Sequence, residues 1–466
     1  MTVYKGKDAQ ISIDDFILPF GGKLSADNRW VRLSRLIPWD EFEARYARGF
    51  GKTGNPAKNA RVALGALIIQ TRMKLTDEEL VEQIRENPYL QYFLGRKEYS
   101  DKPMFEASSL VHFRKRITPE MLMEINERIR EKKEGDPGDP PEGGGNSGKL
   151  LLDATVAPQD IRYPTDLSLL NQARESAEAL IDALHEGVGG RKPRTYREVA
   201  RKAYTRSVKE RKPGSKKLRK AIRKQLGYLG RDLRILEKQV ESRGLEALTP
   251  AQRERLAVLQ LLYEQQQEMY NSRKHSVENR VVSLAQPHVR PIVRGKAGAS
   301  VEFGAKLTVS LVDGHAAVER LSWDSYNESG DLIPAAEAYR ARYGHYPEAI
   351  LADRIFATRE NRAYCSARGI RLSGPPLGRP KLQPTFLERT QAYRDAGERN
   401  AIEGKFGEAK RRYGLDRIMT KLKNTSEISI HLHLLVMNLE RRLRFLLYFL
   451  WKRGFPVCGL GVSRLA

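Results

Sequence analysis

Apolar residues recur along this chain in three rhythms, and each predicts a different element. Over residues 30–134 the rhythm is helical. Val62–Gln70 is an apolar helix core, and Thr76–Glu79 forms a capping box before a helix carrying Leu80, Val81, Ile84 and Leu90. A third helix begins at Ser108–Ser109 and runs through Leu110, Phe113 and Ile117, exposing His112, Arg114, Lys115 and Arg116. From about 165 to 290 the pattern is again helical but polar. Leu218, Ile222, Leu226, Leu229, Leu233, Leu236 and Val240 step by four and three residues, a coiled-coil-like seam. After a loop around Gly244, Thr249 caps, Pro250 takes the first helical position, and Gln252 closes the box of a helix with Leu256, Leu259, Leu262 and Tyr263. The two predict an antiparallel helical hairpin.

The second rhythm is strand alternation. Phe303, Ala305, Leu307, Val309 and Leu311 alternate with Gly304, Lys306, Thr308 and Ser310, and Asp313–Gly314 predicts a tight turn into a strand ending near Trp323. The third is the short unbroken apolar run. Leu150–Leu152 ends at Asp153, Ala349–Ala352 ends at Asp353, and Ile370–Ser373 is a last short strand. A helix around Ala335–Arg342 and another holding Glu403 complete the order: strand, insert, hairpin, helix, strand, helix, strand, helix. That order predicts an α/β domain with a mixed sheet.

Composition divides the chain. Gly135–Gly148 is a Gly/Pro linker that cannot form a core. It separates a helical amino-terminal domain (1–134) from a second domain (149–420) with a helical insert at about 165–290, followed by a carboxy-terminal helix and tail (421–466). Lys and Arg number 82 against 58 Asp and Glu, a net charge of +24, which favours a polyanionic partner, nucleic acid before membrane. Residues 191–224 hold 16 cations and two acids, Glu198 and Glu210, and the self-repulsion of such a segment is relieved by phosphates. Lys216, Lys217, Lys220 and Lys224 are therefore candidate DNA contacts. The competing expectation is a dimer strut built on the Leu218–Val240 seam. Cys365 and Cys458 lie too far apart in sequence to suggest a disulfide framework or zinc site, which fits a reducing cytoplasm. The segment Ile428–Leu450 is interrupted by Glu440, Arg441, Arg442 and Arg444 and reads as a packed helix rather than a membrane span.

The candidate chemistry lies in three acids. Arg399, Glu403 and Lys410 are four and then seven residues apart, which on a helix places them on one stripe, about 40° and 20° out of register. Asp153 and Asp353 end runs expected to be adjacent strands, and ligands in such sheets bind beyond the carboxyl ends of the strands. Three carboxylates from two strands and a helix suit a pair of Mg²⁺ ions for phosphoryl transfer. Nearby acids compete for the role: Asp160, Asp324, Asp331, Glu398 and Glu408. No histidine is required, and His431 and His433, two apart on a helix, point to different faces. The loop Gly374–Lys381 contributes Arg379 and Lys381 where a DNA strand could pass.

These residues resemble the motifs of the DDE transposases of bacterial insertion sequences, specifically the insertion-sequence-five group with an InsH-type amino-terminal domain. The third motif of that family reads Tyr, two residues, Arg, three residues, Glu, six residues, Lys, and is matched at Arg399, Glu403 and Lys410. The tyrosine position holds Ala396, with Tyr393 one turn earlier. Asp153-Ala-Thr-Val-Ala and Leu351-Ala-Asp353-Arg look like the first and second aspartate motifs, with Ile355–Phe356 where Gly-Tyr is expected. The resemblance extends over roughly the first 130 residues and leaves the central insert unaccounted for.

It implies a ribonuclease-H-like α/β fold carrying Asp153, Asp353 and Glu403 as catalytic metal ligands. It also implies Mg²⁺ as cofactor, two ions, with Mn²⁺ able to substitute. The partners implied are double-stranded DNA, as element ends and target, and at least a second copy of the chain; neither a membrane nor a small-molecule substrate is expected. Arg399 and Lys410 would hold DNA phosphates, and the basic helix with Arg114, Lys115 and Arg116 would enter a groove. The activity expected is cleavage at the element's ends with 3′-end strand transfer, by a protein of the cytoplasm and nucleoid. The alternatives are a metal-dependent nuclease without strand transfer and a non-catalytic DNA-binding protein. RNA binding ranks lower, because the basic segments carry no aromatic stacking motif.

Overall fold

A computed structural model describes residues 2–3, 12–18, 21–51, 55–130, 145–186, 191–296, 299–374 and 385–452. Most of the Gly/Pro linker, the loop cations Arg379 and Lys381, and the tail after Lys452 lie outside the described residues. The chain divides into two compact units, Met1–Ala157 with Leu307–Leu321 and Asn327–Ala466, and Pro158–Lys306 with Ser322–Tyr326.

In the first unit the amino-terminal helices are α1 (Arg29–Ser34), α2 (Trp39–Ala47), α3 (Ala60–Met73), α4 (Asp77–Glu86), α5 (Pro88–Phe93), α6 (Ser109–Arg116) and α7 (Pro119–Arg130). The Thr76–Glu79 capping box is present in both directions, with Glu79 N donating to Thr76 Oγ1 and Thr76 N donating to Glu79 Oε2. Apart from a short parallel pair, Thr2–Val3 with Asn55–Pro56, the strands of this unit belong to a mixed sheet. Strand β1 (Lys149–Pro158) pairs in parallel with β5 (Ala349–Ala352), and β5 with β6 (Arg371–Leu372). On the other side of β1 lies β3 (Ala299–Val312), whose later residues turn at Asp313–Gly314 into β4 (His315–Ser322). Both turn residues have positive φ, 49° and 76°, the geometry the Asp-Gly pair predicts. Helices α12 (Leu332–Tyr343) and α13 (Arg359–Ala367) cover the sheet, and Leu332, Tyr339 and Cys365 from them, with Phe356 from the turn before α13, are buried against Leu150, Leu152 and Ile350.

Two long helices follow, α14 (Phe386–Tyr413) and α15 (Lys423–Lys452). Although sequence composition sets residues 421–466 apart, α15 packs against α1, α3, α6 and α7 and so belongs to the amino-terminal bundle. Glu440 on α15 accepts from Arg29 at 2.9 Å and Arg72 at 2.7 Å. Asn438 donates to Asn126 and to the Ala316 carbonyl, and its own oxygen accepts from Ala316 N, joining α15 to α7 and β4 through buried polar atoms.

The second unit is built on α8 (Asp166–His185), α9 (Arg197–Lys209), α10 (Ser215–Arg243) and α11 (Pro250–Ser272), with β2 (Arg290–Lys296) antiparallel to the first part of β3. The expected hairpin is α10 and α11, and Thr249–Gln252 caps α11 reciprocally. The hairpin is not the whole unit. Helix α8 lies along α10, and Leu226, Leu229 and Leu236 of the seam are buried together with Leu170, Ala173, Ala177, Ile181 and Leu184.

Candidate active site

Asp153 is not at a strand end. Strand β1 continues five residues beyond it to Pro158, with Thr155, Val156 and Ala157 buried. Asp353 does end its strand. It follows the fully buried run Ala349–Ala352 and caps the turn Arg354–Phe356, its Oδ1 accepting from Arg354 N. The parallel register pairs Leu152 with Ala352, so Asp153 within β1 and Asp353 just past β5 are the residues that follow a registered pair. The end of β5 is fixed to the residue after β6, since Ala352 N donates to Ser373 Oγ at 3.0 Å.

Glu403 and Arg399 are carried by α14, whose buried stripe is Asp395, Ile402, Ala409 and Tyr413. Helix α14 packs on β5, and two ion pairs tie it to the sheet: Lys149 with Glu398 at 2.8 Å, and Arg371 with the buried carboxylate of Asp395. Gln391 holds the other Asp395 oxygen at 2.8 Å. The sequence does not mark Asp395, Arg371 or Lys149 as site-building residues, and it offers Glu398 only as a rival acid. The available signal is the spacing Asp395–Glu398–Ile402, an i, i+3, i+7 stripe with acids where a core would be apolar.

The acids face one another electrostatically. Burial pushes the Asp153 carboxyl above its usual range, the Ala154 N–H and the Arg399 guanidinium oppose that shift, and the charges of Asp353 and Glu403 add to it. The Arg399 guanidinium bridges two of the three, with Nη2 3.2 Å from Glu403 Oε1 and Nη1 4.0 Å from Asp153 Oδ2. Among the described residues no three His, Cys, Asp or Glu side chains close on a common point that could hold an ion. The oxygen-only chemistry of Asp153, Asp353 and Glu403 fits a hard divalent cation.

The rival acids are engaged elsewhere. Glu408 pairs with Lys405 and Arg444, both at 2.7 Å, and Asp331 with Arg320 at 3.1 Å. Asp160 and Asp324 lie in the other unit. Lys410 is half-buried in the last turn of α14. Tyr393 is exposed, as is Ala396 at the family's tyrosine position.

The remaining candidate contacts are differently placed. Arg114 is not free on the helix surface: its guanidinium donates to Asp77 Oδ2 at 2.9 Å and to Gln70 at 2.8 Å. Arg116 lies over the Phe50 ring, 4.7 Å from its centroid, and of the three only Lys115 is exposed. In the other unit Lys216, Lys217, Lys220 and Lys224 are all exposed on the first turns of α10, with Lys217 paired to Glu210 at 2.7 Å. No helix among the described residues is long and apolar enough to cross a membrane.

Residues 350–440, which contain Asp353, Arg399, Glu403 and Lys410, match the family described as "Transposase DDE domain". Residues 19–116 match "Transposase domain (DUF772)". The chain is 33% identical over 143 residues to "Uncharacterized protein ORF8 in nfe locus" of Rhizobium meliloti, a match covering 31% of this chain and 68% of that protein. No solved structure matches. The two family matches cover both the helical amino-terminal region and the helix that carries Glu403, and the chain belongs to the DDE transposases of the insertion-sequence-five group with an InsH-type amino-terminal domain.

Proposed function

We propose that this transposase binds the terminal repeats of its own element, cuts the DNA there in a reaction that needs a divalent cation, and joins the 3′ ends to a target. The observation that carries the reading is that Asp153 and Asp353 each follow the registered pair Leu152–Ala352, with Glu403 close enough to act on the Asp153 carboxyl. In this reading Asp153, Asp353 and Glu403 hold Mg²⁺, two ions, or Mn²⁺ in its place. Such ions, when bound, supply charge neutralisation at the scissile phosphate and a nucleophilic oxygen at neutral pH.

The protein's own groups do the positioning. The β1–β5 register fixes the two aspartates relative to each other, and the Lys149–Glu398 and Arg371–Asp395 ties fix the helix bearing Glu403. Arg399, as a planar fork, and Lys410, as a point charge, hold backbone phosphates on the face of α14 that Glu403 shares. The amino-terminal helices read the ends, Lys115 being their exposed cation on α6, and the basic start of α10 grips DNA without regard to sequence.

The test is cleavage of DNA bearing the element's ends by Asp153→Asn, Asp353→Asn and Glu403→Gln proteins. Each should lose Mg²⁺-dependent cleavage while binding the ends nearly as the wild type does. A Glu403→Gln protein that cuts at the wild-type rate would remove Glu403 from the triad. Pre-cut ends that are never joined to a target would reduce the activity to that of a metal-dependent nuclease.

A further inference from the structure

Arg399 occupies a position that its expected role on DNA does not explain. One guanidinium nitrogen lies 3.2 Å from Glu403 Oε1 and the other 4.0 Å from Asp153 Oδ2, linking α14 to β1 across the triad. The charges of Asp353 and Glu403 both act on the Asp153 carboxyl, and this guanidinium pairs with two of the three acids. It cannot leave by giving up its proton, because arginine stays charged at any physiological pH. It can leave only by moving. The side chain is 27% exposed, and its planar fork matches a phosphate as well as it matches a carboxylate.

We propose that Arg399 is an internal counter-ion that holds the triad closed to divalent cations until a DNA phosphate draws it away, so that DNA binding and metal loading are coupled. This rests on the triad being the metal site. A phosphate forked on the guanidinium, whether by Nη1 and Nη2 or by Nε and Nη2, competes for the nitrogen that contacts Glu403, so each ligand that claims one side of the exchange favours the other. Coupling of this kind is reciprocal: the metal tightens DNA binding by the factor by which DNA tightens metal binding, commonly about 5- to 150-fold. The simpler alternative is an ordinary i, i+4 pair between Arg399 and Glu403, which would leave metal and DNA binding independent.

The experiment measures Mn²⁺ binding to the full-length protein by the electron paramagnetic resonance of the free ion. It is done with and without a short DNA duplex, corrected for Mn²⁺ held by the duplex alone. Without DNA, Arg399→Gln should bind Mn²⁺ about tenfold tighter than the wild type, and the duplex should tighten the wild type by a similar factor while barely changing the variant. Arg399→Lys keeps the charge but can pair with only one of the acids, so it should bind Mn²⁺ more tightly than the wild type and more weakly than Arg399→Gln. If Arg399→Gln binds Mn²⁺ no more tightly than the wild type, the proposal falls. It also falls if the duplex leaves wild-type Mn²⁺ affinity unchanged. Asp153→Asn separates the two levels of the argument. Loss of Mn²⁺ binding there, with Arg399 variants behaving as wild type, overturns the counter-ion role alone, whereas undiminished Mn²⁺ binding removes the metal site and the counter-ion role together. Thermal melts of each variant confirm that the compared proteins are folded.

Discussion

Lys149 Nζ lies 2.8 Å from the Glu398 carboxylate, tying the first residue of β1 to the middle of α14. Asp153 comes four residues after the lysine and Glu403 five after the glutamate, so one ion pair sets the approach of the strand to the helix that bears the third acid. Both side chains are more than a third exposed, at 36% and 41%, and such a pair adds only about 0–1 kcal/mol to stability. Its effect is on position.

Breaking that tie should therefore separate stability from activity. Glu398→Gln and Lys149→Met are expected to melt within a few degrees of the wild type yet to cleave DNA more slowly, by roughly tenfold or more, since small misplacements of reacting groups are costly. Thermal melts beside single-turnover cleavage rates make the comparison. Equal cleavage rates would mean that Arg371 and Asp395 suffice to place the helix.

A second prediction concerns the basic helix α6. Arg114 is held by Asp77 and Gln70, so Arg114→Ala removes a partly buried, charge-assisted set of hydrogen bonds and should cost on the order of 1–3 kcal/mol of stability. Any loss of DNA binding in that protein would be ambiguous. Lys115→Gln is the clean probe, because Lys115 is exposed: it should leave the melting temperature unchanged while weakening DNA binding. If Lys115→Gln binds DNA as well as the wild type in gel-shift titrations, α6 does not touch the duplex.

The contrast between Arg114 and β5 shows what is legible in the sequence. Strand β5, the Asp313–Gly314 turn and the capped helices follow from local signals, an apolar run, a turn dipeptide and a capping box, each complete within a few residues. The partners of Arg114 and Arg116 are remote in sequence, Asp77 and Phe50, so a basic helix reads as more exposed than it is. The strand end expected at Asp153 falls instead at Pro158 for a related reason: how far β1 continues depends on its neighbours in the sheet, not on the apolar run before the acid. Helix α8 is not legible as the partner of the α10 seam, because a four-and-three spacing shows that a helix buries one side but does not say against what.

The second unit should be pH-sensitive through Asp232. This residue is wholly buried on α10, and neither of its carboxyl oxygens has a hydrogen-bond partner among the described residues. Burial, reinforced by the charge of Glu178 and opposed by Arg174, Arg231 and Arg197, pushes its pKa up to about 7. In the unfolded chain it would titrate near 3.9. Between about pH 4 and about pH 7 the folded state thus holds a proton that the unfolded state has lost, and stability falls as pH rises through that window, by on the order of 1.4 kcal/mol per unit at its steepest. Above pH 7 this contribution levels off. Asp232→Asn should flatten the dependence and raise the melting temperature at pH 8 relative to the wild type. Parallel pH profiles of melting for the two proteins would show that Asp232 is not the titrating group.

The basic start of α10 offers the last prediction. Lys216, Lys217, Lys220 and Lys224 are exposed, and Lys217 is paired with the Glu210 carboxylate. If these side chains meet phosphates, replacing all four by Gln should weaken binding to every DNA sequence alike. The slope of log affinity against log salt should then shallow by about 0.9 for each phosphate no longer neutralised, with Lys217 contributing least because its charge is already partly neutralised. The rival role for this helix is a strut between two copies of the chain. The packing disfavours it, since Leu226, Leu229 and Leu236 are buried within their own unit beside α8, and Leu218, at 39% exposure, is the seam residue most open to a partner. Sedimentation of the quadruple variant, run beside the salt titration, separates the two. A protein that keeps its salt slope but changes its oligomeric state would assign this surface to assembly rather than to DNA.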